Sequence, residues 1–336
     1  MWNLYKLMFF FSMITGTLIA ISSYSWLSMW MGLEINLLSI LPLMSNSKNS
    51  YPAESALKYF ITQSLASSIL LLSVILSLNF KESLLENFQF SSIILNSALL
   101  TKMGAAPFHA WFPEVMEGLN WNLGLLMLTW QKIAPMVLIF YNCSLSMFFL
   151  IIILTSTILS GILGLNQISF RKILAYSSIN HISWMLASMM HSQIIWMIYF
   201  TIYVIITLNI TVILKEFQIF YLNQLFNFMN FSKTMKFAFI LNFFSLGGVP
   251  PLLGFYPKWL VINNLVENNF YLLSTMLIIF TLITLFFYLR LSFLTLMITS
   301  KETLIFNPKT LKFKIMWINF ISLSGLLVCT LISNFF

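Results

Sequence analysis

Long apolar runs alternate with short polar breaks along the whole chain. A helix needs about 20 mostly apolar residues to cross a bilayer, and eleven segments of the sequence satisfy this condition. The predicted spans are 4–22, 26–44, 57–78, 90–117, 123–141, 147–166, 173–190, 194–214, 236–267, 271–297 and 314–335. The mixed segment 215–235 is expected to lie along the membrane interface. The pattern therefore predicts an all-α polytopic membrane protein, with residues 1–336 forming a single transmembrane domain.

Composition supports this class. Of the 336 residues, 60% are hydrophobic and 8% are charged, whereas soluble domains carry roughly 25% charged residues. The net charge of +8 does not indicate a nucleic-acid partner, because no basic patch interleaved with stacking aromatics is present. Two distant cysteines favour neither a disulfide framework nor a metal cluster. Neither a signal peptide nor a transit peptide is evident.

Basic residues are distributed unevenly between the two sides of the predicted bundle. With eleven crossings, thirteen Lys and Arg residues fall on the side of the N-terminus, and Lys81 alone falls on the other. Basic residues concentrate in loops that face the cytoplasm or the matrix. We therefore expect the N-terminus on that side and the C-terminus in the opposite compartment.

Glu34 lies at the centre of its predicted span, and three lysines that the topology assigns to neither side of the membrane, Lys102, Lys132 and Lys258, also fall inside predicted spans. Each costs roughly 2.5–3.5 kcal/mol at the bilayer centre. Burial disfavours the charged form and a nearby opposite charge favours it, so a lysine whose acidic partner approaches and retreats can bind and release a proton. The alternative is that Glu34 pairs with one lysine and only pins the bundle. Pairing leaves two lysines over, so the pattern favours proton exchange.

Two predicted spans carry matching interruptions. Gly104 and Pro107 lie within the fourth span, and Gly247 and Pro250 lie within the ninth. Proline lacks a backbone donor and clashes with the preceding turn, so both helices are expected to break near mid-membrane. Irregular backbone at that depth must face protein or a water-filled cavity.

The two breaks are five helices apart, and an odd offset turns the second copy upside down. This spacing predicts an inverted repeat, in which a pair of interrupted helices marks the transport site. The alternative is that the kinks only help packing. The expected first repeat is 57–214 with broken helix 90–117, the second begins over 236–297 with broken helix 236–267, and 314–335 is the terminal helix.

Six stretches of the sequence carry a resemblance to a known family. They are WMGLEINLLSILPL (30–43), LKYFITQSLAS (57–67), LLTKMGAAPFHAWFP (99–113), LTWQKIAP (128–135), NQISFRKILAYSSINHISWML (166–186) and LNFFSLGGVPPLLGFYPKWLVI (241–262). The pattern resembles the antiporter-like membrane subunits of respiratory complex I, which are similar to cation/proton antiporter subunits. Among these subunits, the sequence looks most like the group called chain 2 in animal mitochondria. The bias toward Phe, Ile, Met and Asn resembles an arthropod organellar genome.

The resemblance implies a role for each buried charge. Glu34 matches the acid that modulates the first channel, and Lys102 matches its partner lysine. Lys132 matches the central lysine of the bundle, and Lys258 matches the ionisable residue of the second broken helix. The implied mechanism is that electron transfer elsewhere perturbs Glu34, after which a proton passes from Lys102 to Lys132 and leaves from Lys258.

The resemblance also implies a cellular setting. The chain would be a proton-translocating subunit of an NADH:ubiquinone reductase in the mitochondrial inner membrane, with chain 4 and chain 4L as neighbours in the lipid bilayer. It would hold no cofactor, whereas NADH, FMN, iron–sulfur clusters and ubiquinone would bind elsewhere in the complex.

Two histidines are weaker candidates. His181 lies mid-span among polar residues and is a candidate proton relay, with a hydrogen-bonded structural role as the alternative. His109 follows the first break and is expected to cap or line a cavity there. Three other functions stay open: a stand-alone secondary cation/proton antiporter, a structural scaffold without transport, and a quinone-binding subunit.

Overall fold

The computed structural model describes most of the chain. It covers residues 4–45, 50–79, 85–143, 146–224, 233–250, 252–297 and 319–320. Regular structure within these ranges is helical, apart from one antiparallel β-bridge between Ser169 and Tyr221. Apart from 319–320, the predicted eleventh span, 314–335, lies outside the described residues, as does Lys81.

The chain forms two compact units, Met1–Ile152 and Ile153–Phe336. The helices that begin in the first unit are α1 (Leu4–Ser22), α2 (Trp26–Met44), α3 (Ser50–Asn79), α4 (Leu85–Met103), α5 (Trp111–Gly118), α6 (Trp121–Leu128), α7 (Trp130–Tyr141) and α8 (Ser146–Leu165). Those of the second unit are α9 (Phe170–Met189), α10 (Gln193–Glu216), α11 (Lys233–Gly247), α12 (Phe255–Glu267) and α13 (Tyr271–Met297). A single 3-10 turn, Leu222–Gln224, follows α10 among the residues described there.

Seven helical segments in the described part of the chain are long and apolar enough to cross a membrane. They are α1, α2, α3, α6 taken together with α7, α8, α10 and α13. A polytopic, all-helical membrane protein is therefore confirmed at this level, and the full count of eleven spans stays a prediction.

Helix α9 is not among these seven, because polar residues such as Asn180 and His181 lower its hydropathy. Yet every residue from Ile173 to Met189 is buried except Tyr176. A helix that protein surrounds on all faces has no need of a lipid-facing apolar surface, so polar side chains are tolerated there. This burial makes α9 a natural place for a hydrogen-bonded network.

Close packing of α1 on α2 fixes one wall of the first unit. A Cβ atom added to Gly32 would lie 2.6 Å from the backbone nitrogen of Ala20, so only glycine permits this approach. Small residues allow helices to pack closely in membranes. From the same helix, Trp30 donates through Nε1 to the carbonyl of Ser67 on α3 at 3.2 Å. These contacts direct Leu33, Asn36 and Leu37 toward a shared cavity.

Helix α4 ends at a glycine in the left-handed conformation. Gly104 has φ +75°, and its N–H donates to the carbonyl of Thr101 at 3.2 Å. The N–H of Ala105 donates to the carbonyl of Leu100 at 3.1 Å. This pair of bonds is the Schellman motif, which favours glycine at the left-handed position. Residues 104–110 are not helical, and α5 begins at Trp111.

Helix α11 ends in the same way. Gly248 has φ +77° and donates to the carbonyl of Ser245 at 3.1 Å, while the N–H of Val249 donates to Phe244 at 3.2 Å. The last helical residue is Gly247, the residue at which the sequence predicted a break, and the left-handed residue is Gly248. The last helical residue keeps ordinary helical geometry, and the next one reverses the chain.

The positions of the two left-handed glycines shift the alignment between the two broken segments by one residue. If Gly247 and Pro250 are matched with Gly104 and Pro107, as predicted, the later matching proline follows after seven residues in one segment (Pro257) and after six in the other (Pro113). Aligning the two left-handed glycines instead gives the same Gly-x-x-Pro-x-x-x-x-x-Pro spacing in both. The paired positions are Gly104 with Gly248, Pro107 with Pro251, and Pro113 with Pro257.

Candidate functional site

A small polar cavity in the first unit surrounds Lys102. This lysine occupies the last turn of α4 and is 7% exposed. Helices α2, α3, α4 and α7 line the cavity together, and they supply a lysine, three amide side chains and a phenol. Its lining residues are Leu33, Asn36, Leu37, Tyr59, Gln63, Lys102, Gln131 and Pro135. A charge is better tolerated here than against lipid, because polar groups replace part of its hydration.

Neutral donors satisfy the carbonyl groups that the end of α4 exposes. Trp111 donates through Nε1 to the carbonyl of Thr101 at 3.0 Å. Gln63 on α3 donates through Nε2 to the carbonyl of Lys102 at 3.4 Å. The side chain of Lys102 therefore lines the cavity, while Gln63 and Trp111 satisfy the backbone carbonyls at the end of α4.

Glu34 and Lys102 form no ion pair, although their charges are close enough to interact. The half-buried Glu34 lies on α2 and interacts electrostatically with the lysine, and no ion pair of 4.0 Å or less joins these two described residues. One carboxylate oxygen, Oε1, is buried and accepts no hydrogen bond from the residues that the structure describes. An acid that is near but unbonded can strengthen or weaken its hold on the lysine through a small movement.

Lys132 is the most deeply buried of the three lysines, at 1% exposed. Its Nζ atom lies 5.6 Å from the ring centroid of Phe112, within the range of a cation–π contact. The predicted span 123–141 is divided at Thr129, where α6 ends and α7 begins. Pro135 has no N–H for the carbonyl of Gln131, four residues earlier. Lys132 thus lies between two irregular points of one membrane span.

An amide pair joins α2 to α7 beside this lysine. Asn36 donates through Nδ2 to Gln131 Oε1 at 3.1 Å, and Gln131 donates through Nε2 to Asn36 Oδ1 at 2.9 Å. The hydroxyl of Tyr59 on α3 donates to the same Gln131 oxygen at 3.5 Å. Sequence reasoning did not identify these three residues. The signal available was two amides in apolar spans, each within two residues of a predicted site residue.

Lys258 lies in the second unit, in the first turn of α12, and is 7% exposed. Its Nζ atom donates to the carbonyl of Gly247 at 2.8 Å and lies 5.7 Å from the ring centroid of Trp184. In an unbroken helix this carbonyl would accept from residue 251, which is a proline without an N–H. The lysine therefore caps the negative end of α11.

His181 on α9 belongs to a buried aromatic cluster. Its Nδ1 atom lies 2.9 Å from the hydroxyl of Tyr199 on α10, and its ring centroid lies 5.0 Å from that of Tyr203. A second small cavity adjoins this cluster and is lined by His181, Tyr199, Ile202, Tyr203, Ile206, Ser245, Gly254 and Pro257. A histidine with a phenol partner can accept or donate a proton at either nitrogen. Both predicted roles, relay and structural, are compatible with these contacts.

His109 lies directly after the first break, as the sequence indicated. Its Nδ1 atom is 3.3 Å from the carbonyl of Pro107, and the residue is 9% exposed. This contact caps a carbonyl of the irregular segment 104–110. It does not line the cavity around Lys102.

Comparison with known proteins identifies the family. Residues 23–284 match the family model described as NADH:quinone oxidoreductase/Mrp antiporter, transmembrane. The chain belongs to this family. It is similar to proteins named NADH-ubiquinone oxidoreductase chain 2, with 48% identity to that of Anopheles gambiae and 50% to that of Aedes aegypti, over 96% of both chains in each case. The corresponding protein of Locusta migratoria is 44% identical over 89% of this chain and 88% of its own.

Two solved structures show the same fold. A chain of respiratory complex I from Thermus thermophilus superposes with a TM-score of 0.88 at 22% identity, covering 98% of this chain and 79% of that chain. A chain of the Mrp complex from Dietzia gives a TM-score of 0.76 at 14% identity, covering 90% and 62%. At these identities the likeness concerns the fold alone.

Within this family member, the predicted site residues fall into two groups. The first unit holds Lys102 in one polar cavity, Glu34 on helix α2, which contributes to the wall of that cavity, and Lys132 on the helix that contributes Gln131 to it. The second unit holds Lys258 against the end of α11, and His181 beside its own cavity. Each buried lysine thus lies at or within a few residues of an interruption in a helix.

Proposed function

We propose that the chain is a proton-translocating subunit of the membrane arm of respiratory complex I, where it couples electron transfer from NADH to ubiquinone to proton movement. The names of relatives that match nearly the whole chain at 48–50% identity support this proposal. The observation that carries it is Lys102, a buried amine in a polar cavity with Glu34 near but not bonded to it. That arrangement suits reversible protonation better than it suits a permanent ion pair.

The proposed route uses the buried charges in order along the chain. Electron transfer elsewhere in the complex displaces Glu34, which alters the proton affinity of Lys102. The proton passes to Lys132 and then to Lys258, from which it leaves, with His181 as a relay through its contact with Tyr199. Oxidation of NADH and reduction of ubiquinone belong to other subunits, so this chain contributes to an NADH:ubiquinone reductase without binding its cofactors.

The proposed architecture has eleven spans, two broken helices and an inverted repeat. Support for the repeat comes from the identical Schellman ends at Gly104 and Gly248 and from the equal proline spacing after them. Support for an N-terminus in the matrix comes from the thirteen-to-one distribution of basic residues. We place the chain in the mitochondrial inner membrane, with chains 4 and 4L of the complex as neighbours.

The test is the variant Lys132→Ala in the intact complex, reconstituted into liposomes. Proton uptake and NADH oxidation are measured together, and we expect the number of protons moved per electron to fall. Lys58→Ala is the matched control, because Lys58 is an exposed lysine of the same unit that lies 3.1 Å from both Glu54 and Glu114. An undiminished ratio in Lys132→Ala would remove this chain from the proton route.

The matched family description, which includes Mrp antiporters, supports a second candidate, a secondary cation/proton antiporter. Vesicles containing the chain without other complex I subunits would then show proton flux driven by a sodium or potassium gradient. The scaffold alternative makes a different prediction. Under it, Glu34→Gln combined with Lys102→Met would leave both assembly and pumping intact.

A further inference from the structure

The amide pair between α2 and α7 occupies an unusual place in the first unit. Asn36 is 4% exposed, and both of its hydrogen bonds to Gln131 lie within an apolar span of the chain. Two antiparallel bonds between carboxamides fix the relative orientation of both side chains. Neutral amide bonds in membranes contribute modestly to stability, so cohesion alone is a weak explanation for keeping polar groups here.

Each amide of the pair lies within two residues, along the chain, of a residue that carries charge. Gln131 precedes Lys132 on α7, and Asn36 follows Glu34 by two residues on α2. Both amides line the cavity that contains Lys102. A movement of α2 that changes the distance from Glu34 to Lys102 would therefore act on α7 through the amide pair, next to Lys132.

Helix α7 is able to respond to such a pull. Its backbone is irregular at Thr129, before Lys132, and after Lys132 the residue Pro135 has no N–H to donate to the carbonyl of Gln131. A helix with interrupted hydrogen bonding on both sides of one turn bends there more easily than a continuous helix. The turn that contains Gln131 and Lys132 is thus the part of α7 that we expect to bend most easily.

We infer that Asn36 and Gln131 are positioning residues that couple the Glu34–Lys102 site to Lys132. Tyr59 assists by donating to the same oxygen of Gln131. This inference rests on the proposed function and assigns to the two amides the transmission of a change at Glu34. Their chemistry fits the task, because a carboxamide has both a donor and an acceptor but no charge. The bridge therefore keeps its geometry whichever neighbour is protonated.

The experiment opens the pair in the intact reconstituted complex. Asn36→Leu and Gln131→Met remove the hydrogen bonds with little change in volume, and we expect about a two- to tenfold loss of proton translocation per NADH oxidised. The exchanged double variant Asn36→Gln/Gln131→Asn restores an amide pair of the same total length and should recover most of the loss. Gln131→Asn alone, which keeps an amide but shortens it, covers the case in which the apolar variants fail to assemble.

The matched control is another amide pair of the first unit. Asn96 on α4 donates through Nδ2 to the carbonyl of Asn142 at 3.3 Å, and Asn142 donates back to Asn96 Oδ1 at 3.4 Å. Asn96 does not line the cavity around Lys102. Asn96→Leu should therefore leave the proton-to-electron ratio unchanged. Equal losses in Asn96→Leu and Asn36→Leu would overturn the inference.

A pH profile separates positioning from simple structural support. Gln131→Glu keeps an acceptor for Tyr59 but introduces an acid that is neutral only when protonated. We expect pumping by this variant to approach that of the parent at acidic pH and to fall as pH rises, since the ionised carboxylate would hold a lysine in its charged form. A loss that does not vary with pH would contradict the role of a neutral bridge.

The remaining outcomes distinguish this inference from the proposed function. If Lys102→Met abolishes pumping while Asn36→Leu and Gln131→Asn keep the parent ratio, the inference alone fails. If Lys102→Met leaves pumping intact, the proposed function fails first. Assembly and NADH oxidation that fall in proportion, with an unchanged ratio, would reduce the amide pair to a structural contact.

Discussion

The substitution Gly248→Ala is expected to displace the side chain of Lys258 while leaving the lysine itself in place. A Cβ atom at residue 248 would lie 2.8 Å from Cδ of Lys258 and 3.1 Å from both Cε and Nζ. The new methyl group therefore occupies the space through which the lysine reaches the carbonyl of Gly247. The backbone at residue 248 has φ +77°, a conformation that costs a residue with a side chain about 1–2 kcal/mol.

The lysine side chain is flexible, so we expect it to move away before the backbone does. The displacement breaks the hydrogen bond from Nζ to the carbonyl of Gly247, which measures 2.8 Å. A hydrogen bond to a charged group contributes about 1.5–3 kcal/mol. Its loss corresponds to roughly a ten- to hundredfold drop in the population of the bound lysine. If the bound state is a step of proton release, pumping should slow by about tenfold.

The assay compares proton uptake with NADH oxidation in the reconstituted complex. Gly161→Ala on α8 is the control, since a Cβ atom there would make ordinary contacts of 3.5 Å or more, the nearest with Ile283. Because Gly248→Ala acts through Lys258, it should cause little further loss in a Lys258→Met background. Pumping in Gly248→Ala that equals pumping in Gly161→Ala would refute the reasoning, as would full additivity with Lys258→Met.

Two other predictions concern the second unit. Gly254→Ala should lower the amount of assembled complex on native gels, because its Cβ atom would lie 1.7 Å from the carbonyl oxygen of Ser245 and the backbone must shift. Overpacking of this kind costs about 1–3 kcal/mol or more. Normal assembly would contradict the packing described. Tyr199→Phe removes the hydroxyl 2.9 Å from His181, a bond worth about 1 kcal/mol. A relay role predicts slower pumping with normal assembly, whereas a structural role predicts reduced assembly with normal protons per electron.

The apolar pattern located most helices because crossing a bilayer imposes a length and an apolar surface that are visible in one dimension. The predicted bounds 4–22 and 26–44 coincide with α1 and α2. Helix α3 begins earlier than its predicted span, at Ser50, since polar first turns project beyond the hydrocarbon and leave no hydropathy signal.

Interruptions were harder to place. Glycine and proline signalled the ends of α4 and α11, and α11 ends at Gly247, but which of the two adjacent glycines takes the left-handed conformation was not predicted, and it is Gly248. Two consecutive glycines satisfy the same local rule, and only the bonds from residues 248 and 249 back to the helix select one. No glycine marks the division between α6 and α7 at Thr129. The nearest residue in the sequence that signals an interruption is Pro135, six residues later.

The buried charges were visible in the sequence by themselves, because a lysine inside an apolar span is costly wherever it points. What surrounds each lysine was decided by tertiary structure. Gln131 lies 95 residues from Asn36 in the chain, and no local pattern predicts that two amides so far apart will bond. The sequence thus determined the membrane class, the candidate proton carriers and the family resemblance, since these depend on residue type and spacing. The cavity, the unbonded Glu34 and the capping of Gly247 by Lys258 depend on which helix faces meet, and only the packed fold decides that.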